Sequence, residues 1–287
     1  MNLFVTGGTG LIGQEFCKQS FSQGNSITAI SRQTGIDKLF RYAKLINVND
    51  LADVRKEDIQ DHDVLVHLAA EGVDQSVKKN TQSLVNTNLI NSIQLIEKAI
   101  SAGIKRILIC GSCFEYGRSA EIALKPVTVS DPLLPTNIYA ASKAAFSTFC
   151  IGMAFHYKIS LTILRPFHVY GENESPNRLY PSLLKASMNN NDLSLTKGDQ
   201  LRDFTNVTTI AELILKETND IFLTKEARLI IKNLGTGSPM TVKDFTIKLW
   251  KKNRAKGKLL FGNLPYRENE IMKYVPDINY FIADSIA

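Results

Sequence analysis

Cysteine and histidine are scarce, with four of each among 287 residues. One C-x-x-C is present, from Cys110 to Cys113. No second cysteine pair and no histidine cluster accompanies it, so the ligand set of a zinc site is incomplete. We therefore expect no metal or redox site, and we expect Cys110 and Cys113 to be buried or partly buried free thiols.

The sequence also lacks a block of one charge and a long apolar run. The 34 basic and 28 acidic residues give a net charge of +6, which favours an anionic partner such as a nucleotide. The charges are scattered, and the cluster Lys251–Arg254 is typical of a solvated helix end, so no nucleic-acid partner is expected. Apolar runs are strand-sized, and nothing resembles a signal peptide or a spanning helix. The sequence predicts a cytoplasmic protein without a membrane partner.

Short apolar runs alternate with segments long enough for crossover helices, which predicts an α/β fold with a Rossmann-type doubly wound parallel sheet. Helical patterns cover residues 11–21, 83–101 and 139–157. We expect residues 1–171 with 204–235 to form a dinucleotide-binding domain. Residues 172–203 with 236–287 are expected to form a smaller C-terminal substrate lobe over the carboxyl ends of the strands. The predicted strands are Leu3–Val5, Ile27–Ile30, Leu45–Val48, Val64–Leu68, Ile107–Ile109 and Leu161–Leu164.

A glycine turn follows the first predicted strand. Gly7 suits the tight turn, Gly10 allows backbone N–H groups to approach a pyrophosphate, and Gly13 allows the next helix to pack closely on the strand. Leu11 and Ile12 lie between these glycines, where the helix N-terminus faces the phosphates. This spacing predicts dinucleotide binding.

Tyr139 and Lys143 are four residues apart on one face of a predicted helix. A nearby ammonium favours the phenolate, which would make the tyrosine a better acid-base group near neutral pH. Ser112 follows a predicted strand, where its hydroxyl would lie at the carboxyl edge of the sheet beside the cofactor. These three side chains are the predicted catalytic group.

The order of motifs along the chain resembles that of a known family, the extended short-chain dehydrogenase/reductases, from Met1 to about Arg267. Segments further along the chain are similar to those of the nucleotide-sugar epimerases, dehydratases and ketoreductases within that family. The first set comprises the glycine turn, His67-Leu68-Ala69-Ala70, Gly111-Ser112, Tyr116-Gly117, Tyr139-x-x-x-Lys143 and Leu164-Arg165-Pro166; the second comprises Arg202-Asp203-Phe204, Asn233–Gly237 and Arg267–Glu270.

The resemblance implies that Tyr139 exchanges a proton with a sugar oxygen while a hydride moves between the nicotinamide and the sugar carbon. Ser112 would orient that oxygen, and Lys143 would also bind the nicotinamide ribose. Asp50 would contact adenine, and Asn88 would have a supporting role. The other residues that the resemblance places along the cofactor are Leu51, Leu68, Ala69, Ala70 and Pro166.

The end of the second predicted strand bears on cofactor choice. An acidic residue there would bind the adenosine ribose of NAD and repel a 2′-phosphate. This chain has Ser31 and Arg32 instead, and an arginine can form a forked contact with phosphate. We therefore expect NADP(H) to be preferred, with NAD(H) possible.

Three reactions are known in the resembled group. Its dehydratases carry an Asp-Glu pair directly after the catalytic hydroxyl, where this chain has Cys113 and Phe114. Glu115 comes one place later and is expected to point elsewhere, which disfavours dehydration. An epimerase with tightly bound NAD and an NADPH-dependent ketoreductase are left, and Arg32 favours the reductase.

His168 stands where many epimerases of the family have an asparagine that contacts the substrate diphosphate. Together with Arg202 and Arg267, this pattern is similar to the CDP-abequose synthases, which reduce a 4-keto-3,6-dideoxy sugar on CDP. The resemblance implies that the two arginines bind the diphosphate as charge-assisted forks, with Ser112, Cys113 and His168 also at the substrate. It predicts reduction of a CDP- or dTDP-linked deoxy sugar for a surface polysaccharide.

Relatives commonly pair through the helices that carry Asn88 and Tyr139 here, so a homodimer is expected. A different class stays open, because some members of the superfamily bind NADP(H) as redox sensors or chaperones. Those members usually lose the tyrosine or the lysine, whereas this chain has both Tyr139 and Lys143, so an enzyme is the better interpretation.

Overall fold

The computed structural model describes residues 1–32, 41–73 and 80–286. Arg32 is thus the last described residue of its segment. The strands among the described residues are β1 (Asn2–Thr6), β2 (Ser26–Ser31), β3 (Lys44–Asn47), β4 (Val64–His67), β5 (Arg106–Cys110), β6 (Ser160–Pro166), β7 (Val169–Tyr170), β8 (Leu193–Leu195), β9 (Leu201–Arg202), β10 (Thr205–Asn206), β11 (Arg228–Leu234), β12 (Met240–Thr241), β13 (Leu259–Phe261), β14 (Lys273–Tyr274) and β15 (Phe281–Ser285).

Helices connect most of these strands, and the predicted helices agree closely with the observed ones. The second predicted helix is interrupted by a π-helical segment, Asn86–Ile90, and 3₁₀ turns cover Leu51–Asp53 and Cys113–Tyr116. The described α-helices are α1 (Leu11–Ser22), α2 (Lys56–Ile59), α3 (Thr81–Val85), α4 (Asn91–Ser101), α5 (Arg118–Ile122), α6 (Ile138–Tyr157), α7 (Leu179–Met188), α8 (Val207–Phe222) and α9 (Val242–Lys252).

An eight-stranded sheet forms the centre of the fold, in the order β15-β11-β6-β5-β4-β1-β2-β3. All neighbouring pairs in it are parallel except β11 with β15. Crossovers run in both directions from β1, so the sheet is doubly wound, as predicted. The carboxyl ends of the parallel strands therefore meet at one edge.

Alternate side chains of the strands enter two separate cores. Phe4 packs with Leu95 of α4 and Phe146 of α6 on one face. Leu3 and Val5 pack with helices α1 and α8 on the other face. Helices on both faces explain why the parallel strands are apolar throughout.

Helix α6 is long and apolar enough to cross a membrane by length and composition, with a mean hydropathy of 1.3. The sequence analysis found no such segment. More than half of its most apolar window, 56%, is buried inside the fold. Its buried residues include Phe146 and Cys150, which pack against the strands. This packing is typical of the core helix of a soluble protein.

Smaller sheets and the helices α7 and α9 lie beyond the main sheet. Trp250 of α9 is buried with Leu183 of α7, and β9 pairs with β12 and β14. The strand β15 returns to the main sheet, although its residues were predicted to belong to the smaller lobe. Antiparallel pairing with β11 satisfies the backbone groups that β11 would otherwise leave at the sheet edge. The remaining lobe boundaries stay a prediction.

Candidate functional site

The glycine turn has the close contacts that its spacing predicts. Gly7 has φ of +70°, in the left-handed region that favours glycine. The Gly10 N–H donates to the Gly7 carbonyl over 2.9 Å. A Cβ atom on Gly13 would lie only 2.1 Å from the same carbonyl oxygen. Any side chain at position 13 would thus force α1 away from β1.

A cleft of about 220 Å³ opens at this turn, and we call it the cofactor cleft. It contains nine of the predicted cofactor residues: Gly7, Gly10, Ser31, Arg32, Asp50, Leu51, Leu68, Ala69 and Ala70. Sequence reasoning missed its other lining residues, which carry no motif of their own: Thr9, Ile30, Val48 and Thr87.

The other predicted cofactor residues are not among those that line this cleft. Leu11 and Ile12 begin α1, and Gly13 is packed beneath the turn. Pro166 ends β6. Their predicted contacts with a cofactor stay predictions.

The end of the cofactor cleft that β2 lines has no acidic side chain at the described end of that strand. Ser31 is buried there, and Arg32 is exposed. Asp50 lines the same end, but its Oδ1 accepts hydrogen bonds from Ala52 N–H at 3.0 Å and Asn91 Nδ2 at 2.6 Å. Asp50 thus caps the turn after β3 as well as facing the cleft.

His67 supports the floor of the cofactor cleft. The Thr6 hydroxyl bonds His67 Nδ1 at 2.8 Å and accepts the Ala69 N–H at 3.2 Å. Burial, reinforced by the charge of Lys143, lowers the pKa of His67 to about 3. The imidazole is therefore neutral at physiological pH.

Ser112 follows β5 and caps the 3₁₀ turn Cys113–Tyr116. Its Oγ accepts the Phe114 N–H at 3.2 Å, and the hydroxyl lies near the Tyr139 phenol. The structure therefore brings together the serine and the tyrosine that the sequence predicts as catalytic partners.

Tyr139 and Lys143 lie in the first turns of α6, which is capped by Asn137 through a 2.9 Å bond from Ala140 N–H. Both side chains are buried. Burial raises the pKa of Tyr139 above its usual value of about 10, although the hydrogen bond with Ser112 opposes the shift. The expectation of a lowered phenol pKa is therefore wrong for this structure, because loss of solvation dominates. The neutral phenol can donate a proton.

Asn88 connects the segment after β4 to helix α6, which carries Tyr139 and Lys143. Its Oδ1 accepts the Glu71 N–H at 2.7 Å, and its Nδ2 donates to the Ser142 hydroxyl at 3.0 Å. Ser142 in turn donates to the Tyr139 carbonyl at 2.8 Å. The predicted supporting role matches these contacts, which lie within the fold rather than in the cofactor cleft.

A second cavity, of about 510 Å³, lies between the sheet edge and the smaller lobe, and we call it the substrate cavity. Phe114 and Asn137 line it on the side of the catalytic residues, and the predicted substrate residues His168, Arg202 and Arg267 line it too. Cys113 is buried beneath this cavity, and burial raises the pKa of its thiol to about 12. The thiol is thus protonated and unreactive.

His168 has an unusual backbone and an unusual environment. Its φ is +24°, which is uncommon for a non-glycine residue and recurs at functional sites. Phe114 and Tyr274 surround its ring at centroid distances of 5.8 and 5.6 Å. Burial, with the charge of Arg202 next, holds its pKa well below the usual value. Its buried Nδ1 has no hydrogen-bond partner among the described residues.

Arg202 is already paired inside the substrate cavity. Its Nη2 lies 2.7 Å from Glu270 Oε1 and donates to the Ile271 carbonyl at 2.6 Å. Burial lowers the pKa of Arg202, and Glu270 opposes that shift. Arg267 is exposed at the rim. Sequence reasoning missed the pairing with Glu270, which lies 68 positions away.

Neither a metal cluster nor a dehydratase pair is formed by the described residues. Within them, no group of three or more His, Cys, Asp or Glu side chains could hold a metal ion. All four cysteines are free and buried. Glu115 is fully buried and points to Arg165, so it is turned away from the substrate cavity, as predicted.

Known proteins share this architecture. The pattern of the NAD dependent epimerase/dehydratase family matches residues 3–221. Protein CapI of Staphylococcus aureus is 28% identical over 233 residues, covering 75% of this chain and 68% of that protein. A probable UDP-glucuronate 4-epimerase of Rhizobium meliloti (strain 1021) is 24% identical over 275 residues, covering 85% and 80%. The solved UDP-N-acetylglucosamine 4-epimerase from Methanobrevibacter ruminantium M1 has the same fold, with a TM-score of 0.84, 24% identity and coverage of 96% and 89%.

Proposed function

The chain belongs to the NAD dependent epimerase/dehydratase family, and from that premise we propose that it reduces the 4-keto group of a CDP- or dTDP-linked deoxy sugar with NADPH. The product would serve the synthesis of a surface polysaccharide, and the reaction would take place in the cytoplasm.

The observation that carries this proposal is the polar end of the cofactor cleft. Ser31 and Arg32 line it where an acidic side chain would otherwise favour NAD. An exposed guanidinium can bind a 2′-phosphate and release it again, which suits a cofactor that is exchanged at each turnover. A reductase needs such exchange, whereas an epimerase regenerates its cofactor in place.

The catalytic group supports reduction for a second reason. When bound, NADPH would supply a hydride to the sugar carbon. Tyr139 is neutral because burial raises its pKa, so it can give its proton to the oxygen that becomes a hydroxyl. Ser112 lies near the phenol and would orient the same oxygen, while Lys143 would hold the nicotinamide ribose.

The substrate cavity offers cations for a diphosphate. Arg202 is buried and Arg267 stands at the rim of the same cavity. Diphosphate binding to Arg202 would replace or share the contact with Glu270. A neutral His168 could donate a hydrogen bond beside them. This set supports the proposed similarity to CDP-abequose synthases.

A nucleotide-sugar 4-epimerase with tightly bound NAD is the second candidate. The family description and the two epimerases among the relatives above favour it. A noncatalytic NADP(H)-binding regulator is less favoured, because Ser112 lies near Tyr139, and Lys143 follows on the same helix as Tyr139.

The test is NADPH consumption with CDP-, dTDP- and UDP-linked 4-keto-6-deoxy sugars, followed by absorbance, with Tyr139→Phe alongside. We expect one nucleotide to support consumption and the variant to lose at least about 100-fold in kcat, as the loss of a general acid does. No consumption, together with NAD released on denaturation and epimerisation of a nucleotide sugar, would establish the epimerase instead.

We also propose a homodimer formed through the helices that carry Asn88 and Tyr139. The outer face of α6 exposes Phe149 and Phe155, and Ile90 is exposed on the preceding helical segment. Exposed apolar side chains on these two neighbouring helical segments favour an interface. Light scattering should give a molar mass twice that of one chain, and Phe149→Glu should lower the measured mass towards that of the monomer.

A further inference from the structure

We infer that Glu115 is a positioning residue that holds Ser112 in place through a buried ion pair with Arg165. The inference rests on the proposed function, in which Ser112 hydrogen-bonds the reacting oxygen. Glu115 itself touches neither cavity, because its side chain is fully buried beneath the catalytic serine.

One carboxylate connects the serine to the neighbouring strand. Glu115 Oε1 accepts the backbone N–H of Ser112 at 2.8 Å. Glu115 Oε2 accepts the Arg165 Nε–H at 2.9 Å. Ser112 follows β5 and Arg165 lies in β6, so the carboxylate ties together the ends of two adjacent strands at the catalytic edge.

The far side of Arg165 is anchored as well. Its Nη1 donates to the Tyr116 hydroxyl at 2.9 Å, and that hydroxyl donates to Asn233 Oδ1 at 2.7 Å. Asn233 lies in β11 and donates through Nδ2 to the Val127 carbonyl at 2.9 Å. The network therefore spans three neighbouring strand ends, and each of its charged groups has a partner.

The local sequence is built around this carboxylate. A Cβ atom on Gly111 would lie 2.6 Å from Glu115 Oε1 and 3.1 Å from Arg165 Cγ. Only glycine leaves enough room for the carboxylate to pass under the strand end. Glycine is thus needed at position 111 for packing, because it lets Glu115 reach the N–H of Ser112.

These contacts restrict the catalytic hydroxyl. The Ser112 N–H is bound by Glu115, and its Oγ accepts the Phe114 N–H. With both ends held, the serine is preorganised to bond the phenol and a substrate oxygen together. Breaking the pair would also leave the buried Arg165 charge without its carboxylate, which disturbs the strand end further.

The experiment compares Glu115→Gln with Glu217→Gln as a matched control. Glutamine keeps the size of the side chain, but it removes the charge that pairs with Arg165. Glu217 is also buried and pairs with Lys232 at 2.8 Å, in an ion pair that joins α8 to β11. We expect Glu115→Gln to lower kcat by about tenfold or more, as misplacement of a catalytic group does, with the KM for the nucleotide sugar kept within about twofold. The control should keep the kcat of the unaltered protein.

An unchanged kcat in Glu115→Gln, or an equal fall in Glu217→Gln, overturns the inference. Failure of the unaltered protein to reduce any of the keto sugars would instead count against the proposed function. In that case amide hydrogen exchange over residues 111–117 decides between the outcomes. Faster exchange in Glu115→Gln than in the unaltered protein and in Glu217→Gln supports the positioning role, and equal exchange overturns it.

Discussion

The cofactor cleft and the substrate cavity are built in opposite ways. Residues from position 7 to position 87 line the cofactor cleft, and most of them are small or apolar residues near the ends of successive strands. Residues from position 114 to position 274 line the substrate cavity, and many of them are charged or aromatic. The cofactor cleft depends on the close approach of backbone segments, whereas the substrate cavity depends on side chains from segments that are distant in the sequence.

Gly13→Ala should have the largest effect, because the cofactor cleft tolerates no change in backbone spacing. The added Cβ would meet the Gly7 carbonyl at 2.1 Å. Overpacking costs about 1–3 kcal/mol of stability. The same strain displaces the turn that faces the phosphates, so we expect NADPH affinity to fall by up to about 100-fold. Fluorescence titration measures it. Gly152→Ala, where a Cβ meets no atom within 4 Å, should bind NADPH normally; an equal loss there would show that the clash is not the cause.

Acid should weaken the floor of the cofactor cleft. The pKa of His67 is lowered to about 3 in the folded protein, whereas an unfolded histidine titrates near 6.5. Between these values the unfolded chain binds a proton that the folded protein does not, so stability falls as the pH falls below about 6.5. From pH 6.5 to pH 5 this contributes about 2 kcal/mol.

Urea unfolding across that pH range measures the loss. His67→Asn should have a shallower pH dependence, and His156→Asn, which removes an exposed histidine of α6, should keep the original slope. Identical slopes in all three proteins would mean that His67 is not the group responsible.

Arg32→Glu tests the part of the cofactor cleft that does rely on a charged side chain. A carboxylate at the end of β2 would repel a 2′-phosphate, so we expect the affinity for NADPH to fall about tenfold while that for NADH is kept or improved. NADH serves as the control ligand in the same titration. Equal losses for both cofactors would place Arg32 outside the 2′-phosphate site.

Glu270→Gln should have the smallest effect, and it should strengthen ligand binding rather than weaken it. It weakens the 2.7 Å ion pair that occupies Arg202, so Arg202 becomes more available to a diphosphate. We expect the KM for the nucleotide sugar to fall by about threefold, in line with the modest strength of such pairs. Glu268→Gln removes an exposed charge from the same rim and should leave KM unchanged. A rise in KM for Glu270→Gln would show that the carboxylate itself contacts the substrate.

Much of the fold was predictable because its signals are local. The strand from Asn2 to Thr6, the glycine turn and helix α1 follow one another without a long connection, and each has a pattern that short-range sterics explain. The antiparallel return of β15 was missed, since nothing in residues 281–285 indicates that their partner is a strand about 50 positions earlier.

The candidate site divides in the same way. The positions of Ser112, Tyr139 and Lys143 could be predicted from the elements that carry them. Ser112 follows a predicted strand, and Tyr139 and Lys143 lie on a predicted helix. The raised pKa of Tyr139 could not, because it depends on how completely the surrounding elements exclude water. The direction of Glu115 was predicted, but its contact with Arg165, 50 positions later, was not.

The sequence by itself determined the doubly wound sheet, the glycine turn and the order of the predicted catalytic residues, because spacing and periodicity act between near neighbours along the chain. Only the tertiary structure decided which charges meet, Arg202 with Glu270 and Arg165 with Glu115, and which aromatic rings surround His168. The physical reason is that burial and electrostatic pairing depend on distances in space, and these arise only when all the strand ends reach one edge of the sheet.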